Sequence, residues 1–97
     1  MKEKEKFKNT LLELNELLIR YGRGTMRNQI SIISSLIEDI DNASLDELQS
    51  VAKGLFTPKS GLSEFNVWKD DFKERTIINS KIDEARTELW KLVKDSR

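Results

Sequence analysis

The chain has 97 residues, enough for one compact domain with a modest core and too few for a deep cleft between subdomains. Its 17 basic and 17 acidic side chains cancel and 37% of residues are hydrophobic, which excludes the apolar-poor, highly charged composition of disordered chains. There is no cysteine and no histidine, so disulfides, thiolate nucleophiles and Cys/His zinc sites are excluded as well.

Basic residues are interleaved with acids along most of the chain, so the clustered cations that general nucleic-acid binding needs are missing. The charged start Met1-Lys2-Glu3-Lys4-Glu5-Lys6 leads into no apolar core of a signal peptide. No apolar run approaches the roughly 20 residues that span a bilayer. The expectation is a soluble cytoplasmic protein that binds neither nucleic acid nor membrane and carries no cofactor or metal.

The first periodic segment runs from about Lys4 to Tyr21. Phe7, Leu11, Leu14, Leu18 and Tyr21 alternate steps of four and three, one stripe of a helix, and Leu12, Leu17 and Ile19 widen it. Gly22 and Gly24 supply the residue type that ends helices in the left-handed conformation. Thr25 is placed to cap a second helix reaching about Asp41, with Met26, Ile30, Ile33, Ile37 and Ile40 in the same spacing. Isoleucine favours strands locally, but no alternation of period two survives across this segment, and periodicity outweighs propensity.

Ser44-Leu45-Asp46-Glu47 has the form of a capping box and opens a short third helix. Leu45, Leu48, Val51, Ala52 and Leu55 are expected to face inward from it. From Phe56 to about Lys73 the periodicity fails. Thr57-Pro58-Lys59-Ser60-Gly61 is turn chemistry. Leu62 to Trp68 reads either as an aromatic connector or as a short helix capped by Ser60 or Ser63, with Leu62, Phe65 and Trp68 three apart. Phe65, Trp68 and Phe72 are expected to fold back onto the core. A last helix is predicted over Glu74 to Asp95, with Ile78, Ile82, Ala85, Leu89 and Leu92 as its stripe and Trp90 and Val93 beside it. The expected architecture is all-α: one domain over residues 1–97, a small antiparallel bundle of three long helices and one short helix with one irregular aromatic connector.

Without histidine, acid–base catalysis would rest on carboxylates, lysine or tyrosine. Glu38, Asp39, Asp41, Asp46 and Glu47 form a run with no basic residue between Leu36 and Gln49. These five acids lie between the apolar stripe positions, whereas a two-carboxylate hydrolase site would aim its acids into a pocket. They form either a solvated surface or a patch that meets a partner. Their spacing lacks the ligand order, glycine and terminal glutamate of an EF-hand. Gly22-Arg23-Gly24-Thr25 lacks the lysine and the preceding strand of a phosphate loop. Arg20, Arg23 and Arg27 bracket the first turn and could meet an anion or an acidic partner. Trp68 and Trp90 are either core anchors or interface hot spots. No nucleophile–base pair can be assembled, so the chain is read as a non-enzyme.

Leu11 to Leu18 with Tyr21-Gly22, then Gly61-Leu62-Ser63-Glu64-Phe65-Asn66, then Ala85 through Glu88-Leu89-Trp90, resemble the motifs of a family of small helical bacterial proteins. That family includes immunity-like proteins that neutralise a toxin. The resemblance implies a protein-binding inhibitor of a cognate toxin, acting by covering or displacing its target's active site. If that target is a basic nuclease, the acids from Glu38 to Glu47 are the natural contact. Candidate partner-contacting residues are Glu38, Asp39, Asp41, Asp46, Glu47, Phe65 and Trp68. The competing reading is a homo-oligomeric adaptor or regulatory module, monomer against homodimer being the distinction. A DNA-binding regulator would need a basic recognition helix, which no segment provides.

Overall fold

A computed structural model describes residues 2–22, 24–57 and 61–94. It holds four α-helices, α1 (Lys2–Tyr21), α2 (Arg27–Glu38), α3 (Leu45–Lys53) and α4 (Phe72–Val93), and two short 3-10 turns, Gly54–Phe56 and Leu62–Glu64. No strand occurs among the described residues. The turn expected over Pro58-Lys59-Ser60, the Ser60 cap and Arg23 lie outside them, as does the last part of the predicted final helix.

The four-three stripes become the core. Phe7, Leu11, Leu14 and Leu18 of α1 are fully buried, as are Ile33 of α2 and Ile82, Leu89 and Val93 of α4. All four helices and the segment from Leu62 to Val67 contribute to the same apolar cluster. α1 and α4, of 20 and 22 residues, are each about 30 Å long at 1.5 Å per residue.

Polar contacts fix how the helices lie. Lys4 Nζ donates to the Ala43 carbonyl at 3.0 Å and Asn15 Nδ2 to Ser34 Oγ at 3.2 Å. The start of α1 is thereby beside the loop after α2, and its middle beside the middle of α2. Lys6 Nζ meets Glu88 Oε1 at 2.9 Å across α1 and α4. The hydrogen bond from Lys6, then its charge, holds the Glu88 carboxyl below the usual carboxylate range. Gln49 Nε2 donates to the Leu92 carbonyl at 2.8 Å and ties α3 to the end of α4.

Several details differ from the sequence expectations. α2, with 12 residues, begins after Met26 and ends at Glu38, shorter at both ends than the stripe suggests. Thr25 does not cap it. Its hydroxyl donates back to the Gly22 carbonyl at 2.6 Å, closing the turn instead. Gly24 takes the expected left-handed conformation with φ +85°, whereas Gly22 is needed for room, since a Cβ there would lie 2.5 Å from the Leu18 carbonyl oxygen. Ser44 does cap α3, accepting from the Glu47 N–H at 3.2 Å. Val51, expected inside, is 53% exposed, because α3 turns Leu48 and Ala52 to the core, Leu55 follows from the 3-10 turn after it, and Val51 is left on the side of α2 that solvent reaches.

The connector departs most. Phe65 is buried as expected, but Trp68 is 77% exposed and Phe72 is exposed at the first turn of α4. The reason is a change of period. After the 3-10 turn at Leu62–Glu64 the chain leaves the helical conformation at Phe65 (φ −66°, ψ 124°), so burial alternates. Phe65 and Val67 go in, Asn66 and Trp68 come out. A step of three from Phe65 then lands outside, and Val67 takes the inward place assigned to Trp68.

Candidate functional site

Two surfaces carry features beyond a solvated helix face. The first is the groove between α2 and α3. Its wall is formed by Ile32, Leu36, Leu48 and Val51, with Ser31 and Ser35 along the α2 side and Asp39 and Glu47 on its rim, enclosing about 320 Å³. The helix stripes explain it: Leu36 and Leu48 sit at the base and are nearly buried, while Ile32 and Val51 stand on the shoulders, 37% and 53% exposed. Exposed apolar side chains beside carboxylates make a surface that can bury area and select a basic partner.

Of the acids singled out from sequence, Asp39 and Glu47 line this groove, while Glu38, Asp41 and Asp46 are exposed around it and do not line it. No three acids among the described residues converge in a way that could hold a metal ion. The absence of a base from the run is a property of the sequence and not of the surface. Lys4, half-buried and bonded to the Ala43 carbonyl, brings a cation under the loop between the acids. That contact joins residues 39 apart in the chain, which no local pattern reveals.

The second surface is built on the connector, and two polar side chains of α4 organise it. Arg86, only 9% exposed, directs Nη1 at the carbonyls of Leu62, Ser63 and Phe65 at 2.9, 2.9 and 3.0 Å, while Nη2 meets Asp83 Oδ1 at 3.2 Å. One nitrogen with two hydrogens serves three acceptors, so one bond is shared. Asn79 accepts from the Val67 N–H at 2.7 Å through Oδ1 and donates to the Val67 carbonyl at 3.0 Å through Nδ2. Outward of these anchors, the Arg75 guanidinium lies 4.1 Å from the centre of the Trp68 ring and 5.2 Å from that of Phe72. The stack of cation on ring steadies an aromatic group that remains in water.

Phe65 belongs to the core and offers little contact surface, whereas Trp68 is exposed apart from the Arg75 stacked on it. Beside Trp68 a cleft of about 390 Å³ opens between residues 65–69 and the end of α1, with Arg20, Tyr21, Gly22 and Thr25 opposite. Trp90, 41% exposed, packs at a tilt on Phe56 with ring centres 5.2 Å apart, forming one side of a shallow cleft floored by Arg86 and Asp83.

No family model, no curated protein and no solved structure matches the chain.

Arg86, Asn79 and Arg75 escape pattern reading. Polar residues on an amphipathic helix are assigned to water by default, and nothing local marks which ones turn toward a connector 7 to 24 residues earlier. The one available signal is negative: an aromatic-rich connector with no periodicity of its own needs backbone partners from elsewhere.

Proposed function

We propose that the chain is a non-catalytic protein-binding module, a small antiparallel bundle with an aromatic connector whose specific role is that of an immunity-type inhibitor of a basic toxin domain. The single observation that carries this reading is the α2–α3 groove. Ile32 and Val51 are left partly in water on its shoulders, with Asp39 and Glu47 on its rim. Buried apolar area would supply affinity there, and the acids would steer a basic partner and reject an acidic one. The mode fits a helix or loop of the partner laid along the groove.

The test is protection in living cells. The chain is co-expressed with a basic nuclease-toxin domain, taken from beside its gene where one is encoded there, as the natural sequence and as the double variant Asp39→Lys, Glu47→Lys. Survival with the natural chain, lost in the variant while its melting temperature is unchanged, is the expected result. Equal protection by both removes the groove from the reading, and no protection by either removes the immunity role.

A second reading, self-association, has one observation in its favour. Leu12 and Ile19, seven residues apart on one line of α1, are 44% and 60% exposed. Size exclusion with light scattering separates the two readings, since a strict monomer at high concentration leaves that face without a mate.

A further inference from the structure

From Phe65 to Lys69 burial alternates as it does along a strand, and the neighbour on one side is a side chain. Both main-chain groups of Val67 are taken by Asn79, the amide standing in for the peptide of an adjacent strand. In alternating backbone, successive peptide groups point to opposite edges. No described residue bonds the main-chain N–H of Asn66 or of Trp68, the neighbours of the residue that Asn79 holds. An open edge of this kind is where an extended peptide adds.

The cleft beside this segment has a defined charge. Arg20 and Lys69 line it together with the rings of Tyr21 and Trp68, and no carboxylate does. Lys69 is shared with Glu74 at 3.4 Å, while Arg20 makes no ion pair with any described residue. The geometry points to a second binding site, distinct from the α2–α3 groove: the edge at Asn66 and Trp68 takes an extended acidic segment of a protein partner. Its backbone pairs with that edge, its carboxylates meet Arg20 and Lys69, and one of its side chains lies on Trp68. A single-stranded nucleic acid would also favour cations and rings. The peptide is favoured because Arg75 already covers one face of Trp68, the open groups are main-chain amides, and the chain's net charge is zero. This inference does not rest on the immunity reading.

The experiment titrates the full chain with a fluorescein-labelled decapeptide of alternating Glu and Val, by anisotropy and by amide and indole NMR shifts. Saturable binding is expected, with shifts confined to the Trp68 indole, the amides of 66–69 and residues 20–22. Arg20→Glu and Trp68→Ala should each weaken it by roughly tenfold or more, and Trp68→Phe by less. Arg20 and Trp68 are exposed, so both variants are expected to stay folded with at most a small fall in melting temperature. The double variant Asp39→Lys, Glu47→Lys should bind like the parent, which keeps the two sites' failures apart. The proposal is overturned by equal affinity for the matching Lys–Val decapeptide, by displacement of the peptide with oligouridylate, by shifts centred elsewhere, or by no saturable binding at low-millimolar peptide.

Discussion

The side-chain amide of Asn79 brackets the peptide of Val67, accepting its N–H at 2.7 Å and donating to its carbonyl at 3.0 Å. Both bonds are partly buried, so leaving their backbone partners unmet costs about 1–3 kcal/mol, the usual cost of an unsatisfied group. Asn79→Leu is therefore expected to destabilise the chain by that amount in denaturant titration and to abolish hydrogen-exchange protection of the Val67 amide. Asn79→Asp keeps the acceptor and loses the donor, so Val67 should stay protected while stability still falls. Protection of Val67 that survives in the Leu variant would show that Asn79 does not hold the segment.

Arg86 is expected to be the most costly polar residue to replace. Arg86→Met removes the donor for three carbonyls, and the loss should reach about 3 kcal/mol or more. Arg86→Lys should recover only part of it, because an ammonium on a single stem cannot reach as the flat guanidinium does. Equal stability of the Lys and Arg forms would mean that charge alone matters at this place.

The register of the connector can be checked by two truncations three residues apart. Phe65→Ala empties a core site and is expected to cost about 3–5 kcal/mol. Trp68→Ala removes a larger side chain that lies in water, and should cost under about 1 kcal/mol, most of it the contact with Arg75. Thermal unfolding distinguishes them directly. Similar losses at the two positions would mean that Trp68 is packed inside.

Glycine substitutions should differ in sign. Gly54 has φ −62° and ψ −21° with open space where a Cβ would go, so Gly54→Ala should stabilise by about 0.4–1 kcal/mol through the unfolded chain. Gly24→Ala would meet the Arg27 side chain only in ordinary contact at 3.7 Å but must hold φ at +85°, and should destabilise by about 1–2 kcal/mol. Differential scanning calorimetry of the pair isolates backbone strain from crowding.

The Lys6–Glu88 pair predicts a dependence on pH. Glu88 titrates lower in the folded chain than in the unfolded one, because Lys6 bonds and attracts its charged form. Its contribution to stability is present above the unfolded pKa and is lost as pH falls through the folded pKa. Lys6→Met should raise the Glu88 titration toward the ordinary carboxylate range, read by carbon NMR titration, and high salt should shrink the difference. A Glu88 titration unchanged in the variant would assign the shift to another cause.

The long helices were legible because their cores repeat with the helix: every position of the α1 stripe from Phe7 to Leu18 is buried. The connector was not, because its burial switches from a step of three to a step of two after Glu64, and a short aromatic run fits either. Its anchors are also polar residues of a later helix, where pattern reading sees only a wet face. The acidic run was visible as a run, but its division was not. Which acids reach the groove depends on where α3 crosses α2, and the cation beneath them arrives from the opposite end of the chain.

Arg86 is made after the segment it organises. The carbonyls it gathers leave the ribosome 21 to 24 residues ahead of it, a delay of about 1–5 s at ordinary rates of synthesis. For the first half of that interval Phe65 and Val67 have neither Asn79 nor Arg86 to anchor them, and throughout it the apolar face of α4 is incomplete. The nascent chain therefore exposes the segment from Phe65 to Lys69 with its apolar side uncovered, and chaperone contact or pairing between neighbouring nascent chains has an opportunity there.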